Sequence, residues 1–441
     1  MMIGSIINAI YGRTIECDCG KTHHIDPQRA IYADAALARL PEALSEWTAG
    51  RQVVVLMDRR TRDAAGKAAA AMLRDANWEV FDIVVPDPAE GASPVCDDHT
   101  HDTLLRQIGA ADVVLPVGSG VLNDLGKWIA FDLDLPYVCF ATAASMNGYA
   151  SANVAATLNG VKTLLRARPP RTVLSDPAIL RDAPYELTAA GLGDILAKSV
   201  SSTDWRVNHF LFGDYFCERS VSLVADIEPL YVDHPEDLRE RKPEAMGALF
   251  HGLLLTGVAM TMAETSSPAS GGEHLVSHTL DMMSSLDGVP HDLHGRQVGI
   301  GTVLASAVYR RVIGVESPDF SRASMGIDRA FWGELGDEVE SHHAQKVARL
   351  QKAVEVLSQG NTWDRLREEV QPFLRSPDQI RDVLKRAGAA YRADDIGCSR
   401  ERLLRAVLHA HEIRSRFTVI DLARLMGLLP RAAAEIVEEW S

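Results

Sequence analysis

The chain has 441 residues, 46% hydrophobic and 24% charged, the composition of a folded globular protein with room for two or three domains at roughly 100–200 residues each. Its 60 acidic residues against 45 Lys and Arg give a formal net charge of -15. That balance excludes non-specific nucleic-acid binding, which needs clustered cations.

Six scattered cysteines (Cys17, Cys19, Cys96, Cys139, Cys217 and Cys398) suit reduced thiols in a cytoplasmic protein better than a disulfide scaffold. The opening residues 1–16 hold a short apolar stretch but no basic n-region and no small-residue cleavage site, so no signal peptide is expected. Cys17-Asp18-Cys19-Gly20-Lys21-Thr22-His23-His24 has the composition of a ligand cluster, but Cys-x-Cys is not the usual zinc spacing and no second cysteine pair follows. A β-hairpin turn is expected there.

From residue 50 the chain alternates between two periods. Residues 51–58, 79–85, 111–117 and 136–142 are short β-branched runs and predict buried strands. Residues 61–76, 97–110 and 121–133 predict the helices between them, hence βαβ units and a parallel sheet. In 152–168 two β-patterned runs flank Asn159-Gly160, a strong hairpin signal, and 171–177 predicts one further strand.

Beyond residue 180 helical spacing dominates: 187–203, 214–227, 243–265, 271–285, 295–313, 326–334, 336–358, 362–370, 377–387, 400–413, 418–426 and 430–440. The longest apolar run, Met246 to Ala263, contains His251, three Gly and two Thr. It is expected to be a buried core helix rather than a membrane span. The fold class read from this pattern is an α/β nucleotide-binding domain over 1–180 followed by an all-α domain over 181–441, with the boundary near Pro177–Pro184.

Three stretches point to a nucleotide. Gly118-Ser119-Gly120 lies between a strand and the helix that carries Val121, Leu122, Asn123 and Asp124. Glycines there let backbone approach a pyrophosphate at a helix N-terminus, although a plain βα turn has the same appearance. Asp58 ends the first clear strand, where an acid accepts bonds from an adenosine ribose or caps the next helix. Arg59, Arg60 and Arg62 could instead hold a 2′-phosphate, so NAD is favoured over NADP by Asp58 alone. Thr142-Ala143-Ala144-Ser145 follows the fourth strand, where small residues suit phosphate or nicotinamide contacts as well as a tight loop.

A second group points to a metal. Asp194 sits in an otherwise apolar helical stretch, and a buried carboxylate is costly unless paired or metal-bound. His274 and His278 are four apart and share a helix face, and His294 opens the next helix. Two histidines and one carboxylate leave an open coordination position, as a catalytic ion requires. His409 and His411, two apart on a helix, are not expected to face one site.

Taken in order, CDCGKTHH, GSGVLNDLGK, ATAASMNGYAS, VKTLLRARPP, AAGLGDILAKSVSSTDW, PASGGEHLVSHTLD, LHGRQVGIGT and HAHEIRSRFTVIDLARLMGLL resemble the sn-glycerol-1-phosphate dehydrogenase family in its bacterial branch. That family sits in a superfamily with iron-containing alcohol dehydrogenases, glycerol dehydrogenase and dehydroquinate synthase. The resemblance spans most of the chain, and the ordered set is far more specific than any member.

It implies a dehydroquinate-synthase-like fold with NAD(H) or NADP(H) and one divalent ion (Zn, Ni or Fe) in the interdomain cleft, and a homodimer or higher homo-oligomer. By position it implies cofactor contacts at Asp58, Gly118, Gly120 through Asp124, Thr142 through Ser145 and Ser151. It implies metal ligands at Asp194, His274 and His294, and substrate contacts at Asn147, Asp194 and His278, with Asp194 and His278 catalytic. Two departures stand out: Asn147 where the family usually has Asp, which keeps hydrogen-bonding reach but loses charge, and GSG where three glycines are usual.

The activity implied is reversible reduction of dihydroxyacetone phosphate to sn-glycerol 1-phosphate for glycerophospholipid synthesis. Lys162 and Arg166 are candidates for the cation that the substrate phosphate requires. Competing readings are a polyol dehydrogenase acting on unphosphorylated glycerol, a dehydroquinate-synthase-like lyase with no net NADH change, and a non-catalytic binding protein.

Overall fold

The structure, a computed structural model, describes residues 10–89, 92–320 and 326–441. The first nine residues, with most of the N-terminal apolar stretch, lie outside the described residues. The chain falls into two compact units. Unit 1 takes the residues up to Asn159, then Thr163–Gly191 and Ser222–Thr265; unit 2 takes Gly160–Lys162, Leu192–Val221 and Ser266–Ser441. The chain thus crosses between units several times, whereas a division at residue 180 separates secondary-structure types.

Unit 1 opens with a hairpin of β1 (Thr14–Glu16) and β2 (Thr22–His24), paired antiparallel with Thr14 opposite His24. This is the turn expected at CDCGKTHH, and it brings Cys19 Sγ to 3.2 Å from His23 Nε2.

The rest of the unit is built on β3 (Arg29–Tyr32), β4 (Gln52–Asp58), β5 (Glu79–Val85), β6 (Val113–Gly118), β7 (Val138–Ala141) and β10 (Thr172–Ser175). They form one sheet in the order β3-β10-β7-β6-β4-β5, every neighbouring pair parallel. Strands β6, β7 and β10 are buried at every position and β4 at all but its first, so their runs of Val, Leu and Ala read as continuously apolar. The edge strands β3 and β5 are only partly covered.

The helices α1 (Lys67–Asp75), α2 (Asp98–Leu105) and α3 (Gly120–Asp132) connect the strands. β8 (Asn153–Leu158) and β9 (Val161–Arg166) form the expected hairpin, with Asn159 at φ 49° and Gly160 at φ 80°. Positive φ at both turn residues is what a two-residue turn between twisted strands demands.

Two helices follow α/β territory closely in sequence: α4 (Tyr185–Leu196) and α5 (Lys198–Phe212). The single helix expected over 187–203 is interrupted at Ala197, which keeps helical angles. The helix expected over 214–227 is reduced to Glu218–Ser222. Side chains of α5 hold the expected start of that helix: Trp205 Nε1 donates to Tyr215 O at 2.7 Å and His209 Nδ1 lies 2.6 Å from Asp214 O. Helix α6 (Pro243–Ala263) is long and apolar enough to cross a membrane, but 94% of its most apolar window is buried, as a core helix would be.

Unit 2 is helical, with α7 (Gly272–Asp287) and α8 (His294–Ile313) packed side by side at its centre against α5. Around them lie α9 (Gly336–Leu357), α10 (Arg400–His409) and α11 (Val419–Leu425). Glycines set the spacing at this centre. A Cβ on Gly193 would stand 2.1 Å from Gly295 O, and one on Gly301 2.4 Å from Glu273 O. Only bare backbone lets α8 approach Gly193 on one side and the start of α7 on the other.

Candidate metal and nucleotide sites

In unit 1, β4 is flanked by β5 and β6, and the chain then runs on through β7 to β10. The strand order therefore reverses between β4 and β6. In open parallel sheets ligands bind outside the carboxyl ends of the strands at such a switch point. The residues standing there are Asp58, at the end of β4, and Gly118-Ser119-Gly120, at the end of β6.

Helix α3 starts at this edge with Ser119 as N-cap. Ser119 makes no side-chain bond to the first amides, and the first turn carries no acid. A helix N-terminus left this way favours an anion.

Asp58 takes the capping role. Its Oδ1 accepts from the amides of Arg60 at 2.8 Å and Thr61 at 2.7 Å, and Thr61 Oγ1 accepts from the Asp58 amide at 2.9 Å. This leaves Oδ2 as the atom free of capping duty. Arg60 donates to Asp87 at 2.8 Å, and Arg59 stands 3.5 Å from the same carboxylate.

The loop after β7 carries Thr142, Ala143, Ala144, Ser145, Asn147 and Ser151, all buried. It is held by Lys127, a fully buried residue of α3 that sequence reasoning passed over. Lys127 Nζ donates to Asn153 O at 2.7 Å and Gly148 O at 2.9 Å, with Asp124 Oδ1 and Ser151 Oγ at 3.3 Å. Asp124 Oδ2 accepts from Ala155 N at 3.2 Å. Asp124 and Ser151 thus work inside the protein, fixing loop to helix. The Thr142 amide donates to Gly118 O at 3.1 Å, and Tyr149 Oη donates to Ala143 O at 2.8 Å. Asn123, in the first turn of α3, is fully buried with neither side-chain polar atom hydrogen-bonded among the described residues.

In unit 2 the structure brings Asp194 of α4, His274 of α7 and His294 of α8 together, with one donor atom of each within 4.8 Å of the others. His274 Nε2 lies 3.3 Å from Asp194 Oδ1. His294 Nδ1 is 3.2 Å from Ser277 Oγ, which leaves its Nε2 for another partner. The His278 ring completes the group, stacked on His294 at 5.5 Å between centroids and 5.9 Å from His274. One carboxylate oxygen and two imidazole nitrogens form a donor set that fits a divalent ion with an open position.

The electrostatics agree with this fit. Burial alone would lower His274, but hydrogen bonding to Asp194 and Glu273 outweighs it and raises its pKa to about 9. The two carboxylates beside His274 thus favour positive charge at this place. Burial, reinforced by the charge on His274, pushes His294 down to about 4, so it offers a neutral nitrogen. Burial also holds His278 well below the ordinary histidine range.

Glu273 is the neighbour that sequence reasoning missed, although a glutamate beside His274 at the start of an apolar helix was a visible signal. It is fully buried and its Oε1 lies 2.8 Å from His274 Nδ1, an arrangement that turns Nε2 toward Asp194. The same Oε1 accepts from the Gly271 amide at 2.7 Å, and Asp204 Oδ2 accepts from the Gly272 amide at 2.8 Å. Asp204 also accepts from Tyr309 Oη and, at 2.8 Å, from the Val419 amide. Burial, with the charge of Glu273, raises its pKa to about 8.

The expectation for His409 and His411 needs correction. Helix α10 ends at His409 and a 3-10 turn, Ala410–Glu412, follows. The tighter winding brings His409 Nδ1 to 3.1 Å and His411 Nε2 to 3.6 Å from the same Glu412 oxygen. Glu412 also accepts from Trp332 Nε1 at 2.5 Å, so this group serves packing. Of the two candidate phosphate cations, Lys162 lies 3.8 Å from Asp281, within unit 2. Arg166 is exposed and belongs to unit 1.

A sequence model of the iron-containing alcohol dehydrogenase family matches residues 31–184, the sheet of unit 1. The chain is 29% identical to glycerol-1-phosphate dehydrogenase (NAD(P)+) of Bacillus velezensis, over 84% of each chain. It is 26% identical to the enzyme of the same name from Bacillus licheniformis, over 94% of this chain and 93% of that one. The fold is similar to that of glycerol dehydrogenase from Schizosaccharomyces pombe, with a TM-score of 0.62 at 15% identity, covering 94% of this chain and 90% of the other. Over most of its length the chain is thus similar to enzymes named glycerol-1-phosphate dehydrogenase (NAD(P)+), and its residues 31–184 match the iron-containing alcohol dehydrogenase family.

Proposed function

We propose that this protein is a cytoplasmic, metal-dependent oxidoreductase. It reduces the ketone of dihydroxyacetone phosphate to sn-glycerol 1-phosphate with NADH or NADPH, reversibly, and so feeds glycerophospholipid synthesis. The observation that carries the reading is the group of Asp194 and His274, both buried, with the half-buried His294, assembled from three helices of a chain whose relatives are named for this activity. A homo-oligomer is part of the proposal.

When bound, the ion supplies Lewis acidity at the ketone oxygen and the nicotinamide supplies hydride to the carbonyl carbon. The chain's residues do the rest. Asp194, His274 and His294 hold the ion, and Glu273 fixes the orientation of His274. His278 carries a neutral ring beside His294. It relays a proton toward the substrate oxygen, accepting at one ring nitrogen as it releases from the other. The first turn of α3 takes the cofactor pyrophosphate, and Asp58 Oδ2 takes the adenosine ribose. Arg59 and Arg60 are already engaged by Asp87, which favours NADH over NADPH.

The test is NADH oxidation by zinc-loaded protein with dihydroxyacetone phosphate, against dihydroxyacetone. Oxidation with the phosphate ester alone is expected. Oxidation with dihydroxyacetone alone would move the activity to a polyol dehydrogenase. No oxidation with either would defeat the reading.

A further inference from the structure

The first hairpin gathers thiol and imidazole side chains that neither the metal group of unit 2 nor the nucleotide edge uses. Its turn is closed by the Cys17 amide, which donates to Lys21 O at 3.1 Å, and by the Gly20 amide, which donates to Cys17 O at 2.9 Å. Asp18, Cys19 and Gly20 thus form a three-residue loop. Gly20, at φ 84°, takes the left-handed place that such a loop requires.

The register decides which side chains meet. His23 stands opposite Ile15 in the ladder, so the two share a face. Cys17, two residues beyond Ile15, continues on that face, while His24 turns to the other. Exposure follows the same alternation. His23 is buried, whereas His24 is exposed and its Nδ1 lies 3.0 Å from Thr14 Oγ1 across the strands. Cys19 folds back from the loop, with its Sγ 3.2 Å from His23 Nε2. One donor atom each of Cys17, Cys19 and His23 lies within 4.8 Å of the others, and neither cysteine is in a disulfide. The short Cys-x-Cys spacing, which spoke against a metal in the sequence, is offset by the hairpin, because the third donor arrives across the ladder.

The chemistry of this donor set differs from that of Asp194, His274 and His294. Two sulfurs and an imidazole are soft donors, the kind that structural zinc centres use, whereas a carboxylate with two imidazoles suits a catalytic ion. The hairpin also needs a staple. Its strands are three residues each and form a sheet of their own, apart from the six-stranded one. A lone two-stranded hairpin is marginal in water. The ion pair of Lys21 with Glu264, at 2.9 Å, joins two exposed side chains and contributes little.

We infer that Cys17, Cys19 and His23 form a second metal centre, a structural zinc site that ties the loop to β2, with a fourth donor from outside the hairpin completing the tetrahedron. The thiols give up their protons as the ion enters and bind as thiolates. Held in this way, the ion outlasts a chelator that empties the open centre of unit 2, and metal at that centre is counted in excess of it. The inference depends neither on the substrate nor on turnover.

Two measurements on reduced protein test it. In the first, the chain is produced in zinc-free medium supplemented with cobalt(II), whose spectrum reports its ligands. Wild type should show the near-ultraviolet thiolate-to-cobalt charge-transfer band, which oxygen and nitrogen donors alone cannot give. The double variant Cys17→Ser, Cys19→Ser should lose it. Absence of the band in wild type, or its survival in the double variant, would overturn the inference.

The second uses wild-type protein only, so it does not depend on a variant folding. Alkylation of Cys17 and Cys19 by iodoacetamide is followed by peptide mass with zinc bound and after a strong chelator has withdrawn it, as confirmed by elemental analysis. Bound zinc should slow both alkylations at least roughly tenfold, since a thiolate engaged by a metal is a poor nucleophile. Equal rates in the two forms would overturn the centre.

Discussion

The two units build their candidate sites by opposite means. At the sheet edge of unit 1 the conspicuous side chains are spent inside the protein: Asp58 caps a helix and Asp124 and Lys127 lash a loop to α3. What remains for a ligand is largely backbone at the start of α3. At the centre of unit 2 the reverse holds. Backbone is committed to α4, α7 and α8, and the side chains converge, Asp194 and His274 buried and His294 half-buried, with the pKa of His274 raised and that of His294 lowered. A site of backbone amides should tolerate side-chain change, whereas a site of buried charges should not.

The sharpest way to break this comparison is to remove a side chain from the second site. His274→Ala takes away one donor of three and leaves Asp194 buried without its 3.3 Å partner. Bound metal should fall below detection and kcat/KM by at least roughly 1000-fold, read by elemental analysis and NADH oxidation on the same sample. A variant that keeps its metal and its rate would remove His274 from the site.

Glu273→Gln is milder. The amide can keep the contact with His274 but not the charge, and a metal affinity lower by about 10–100-fold is expected in competition with a chelator. Unchanged affinity would reduce Glu273 to a helix-start residue.

The pH dependence of metal uptake follows from His274. Its pKa is raised to about 9, so below that pH the apo ring holds a proton that the ion must displace; above it no proton is in the way. His294, held to about 4, has no proton to lose near neutrality. Zinc binding at pH 7.5 should therefore release about one proton from this pair and tighten about tenfold per pH unit as pH rises toward 9. A zinc affinity that stays the same between pH 6.5 and 8.5 would contradict this.

The smallest effect is expected in unit 1. Asp87→Ala would free Arg59 and Arg60 from their shared carboxylate. The ratio of kcat/KM for NADPH to that for NADH should rise several-fold, with little change in metal content. A ratio that stays put would mean that these arginines do not face the adenosine.

The contrast also explains what could be read in the sequence. Unit 1 was legible because its signals are local: β-branched runs bounded by turns gave four of the sheet strands, and Asn159-Gly160 gave the hairpin. The edge strand β3, with Arg29 at its start, lacked such a run and was missed. In unit 2 the positions of Asp194, His274 and His294 could be named, but their meeting depends on close approaches at Gly193 and Gly301 that no local pattern reports. The shortened helix after α5 was hidden in the same way, since its expected start is held by bonds from Trp205 and His209 on another helix.

The most direct test of the account titrates chelator-stripped wild-type protein with zinc while bound metal and the rate of dihydroxyacetone phosphate reduction are followed together. The account predicts no turnover at zero metal, a linear rise, and a break at one ion per chain. Full activity in stripped protein, or a rate that does not follow the bound ion, would contradict it.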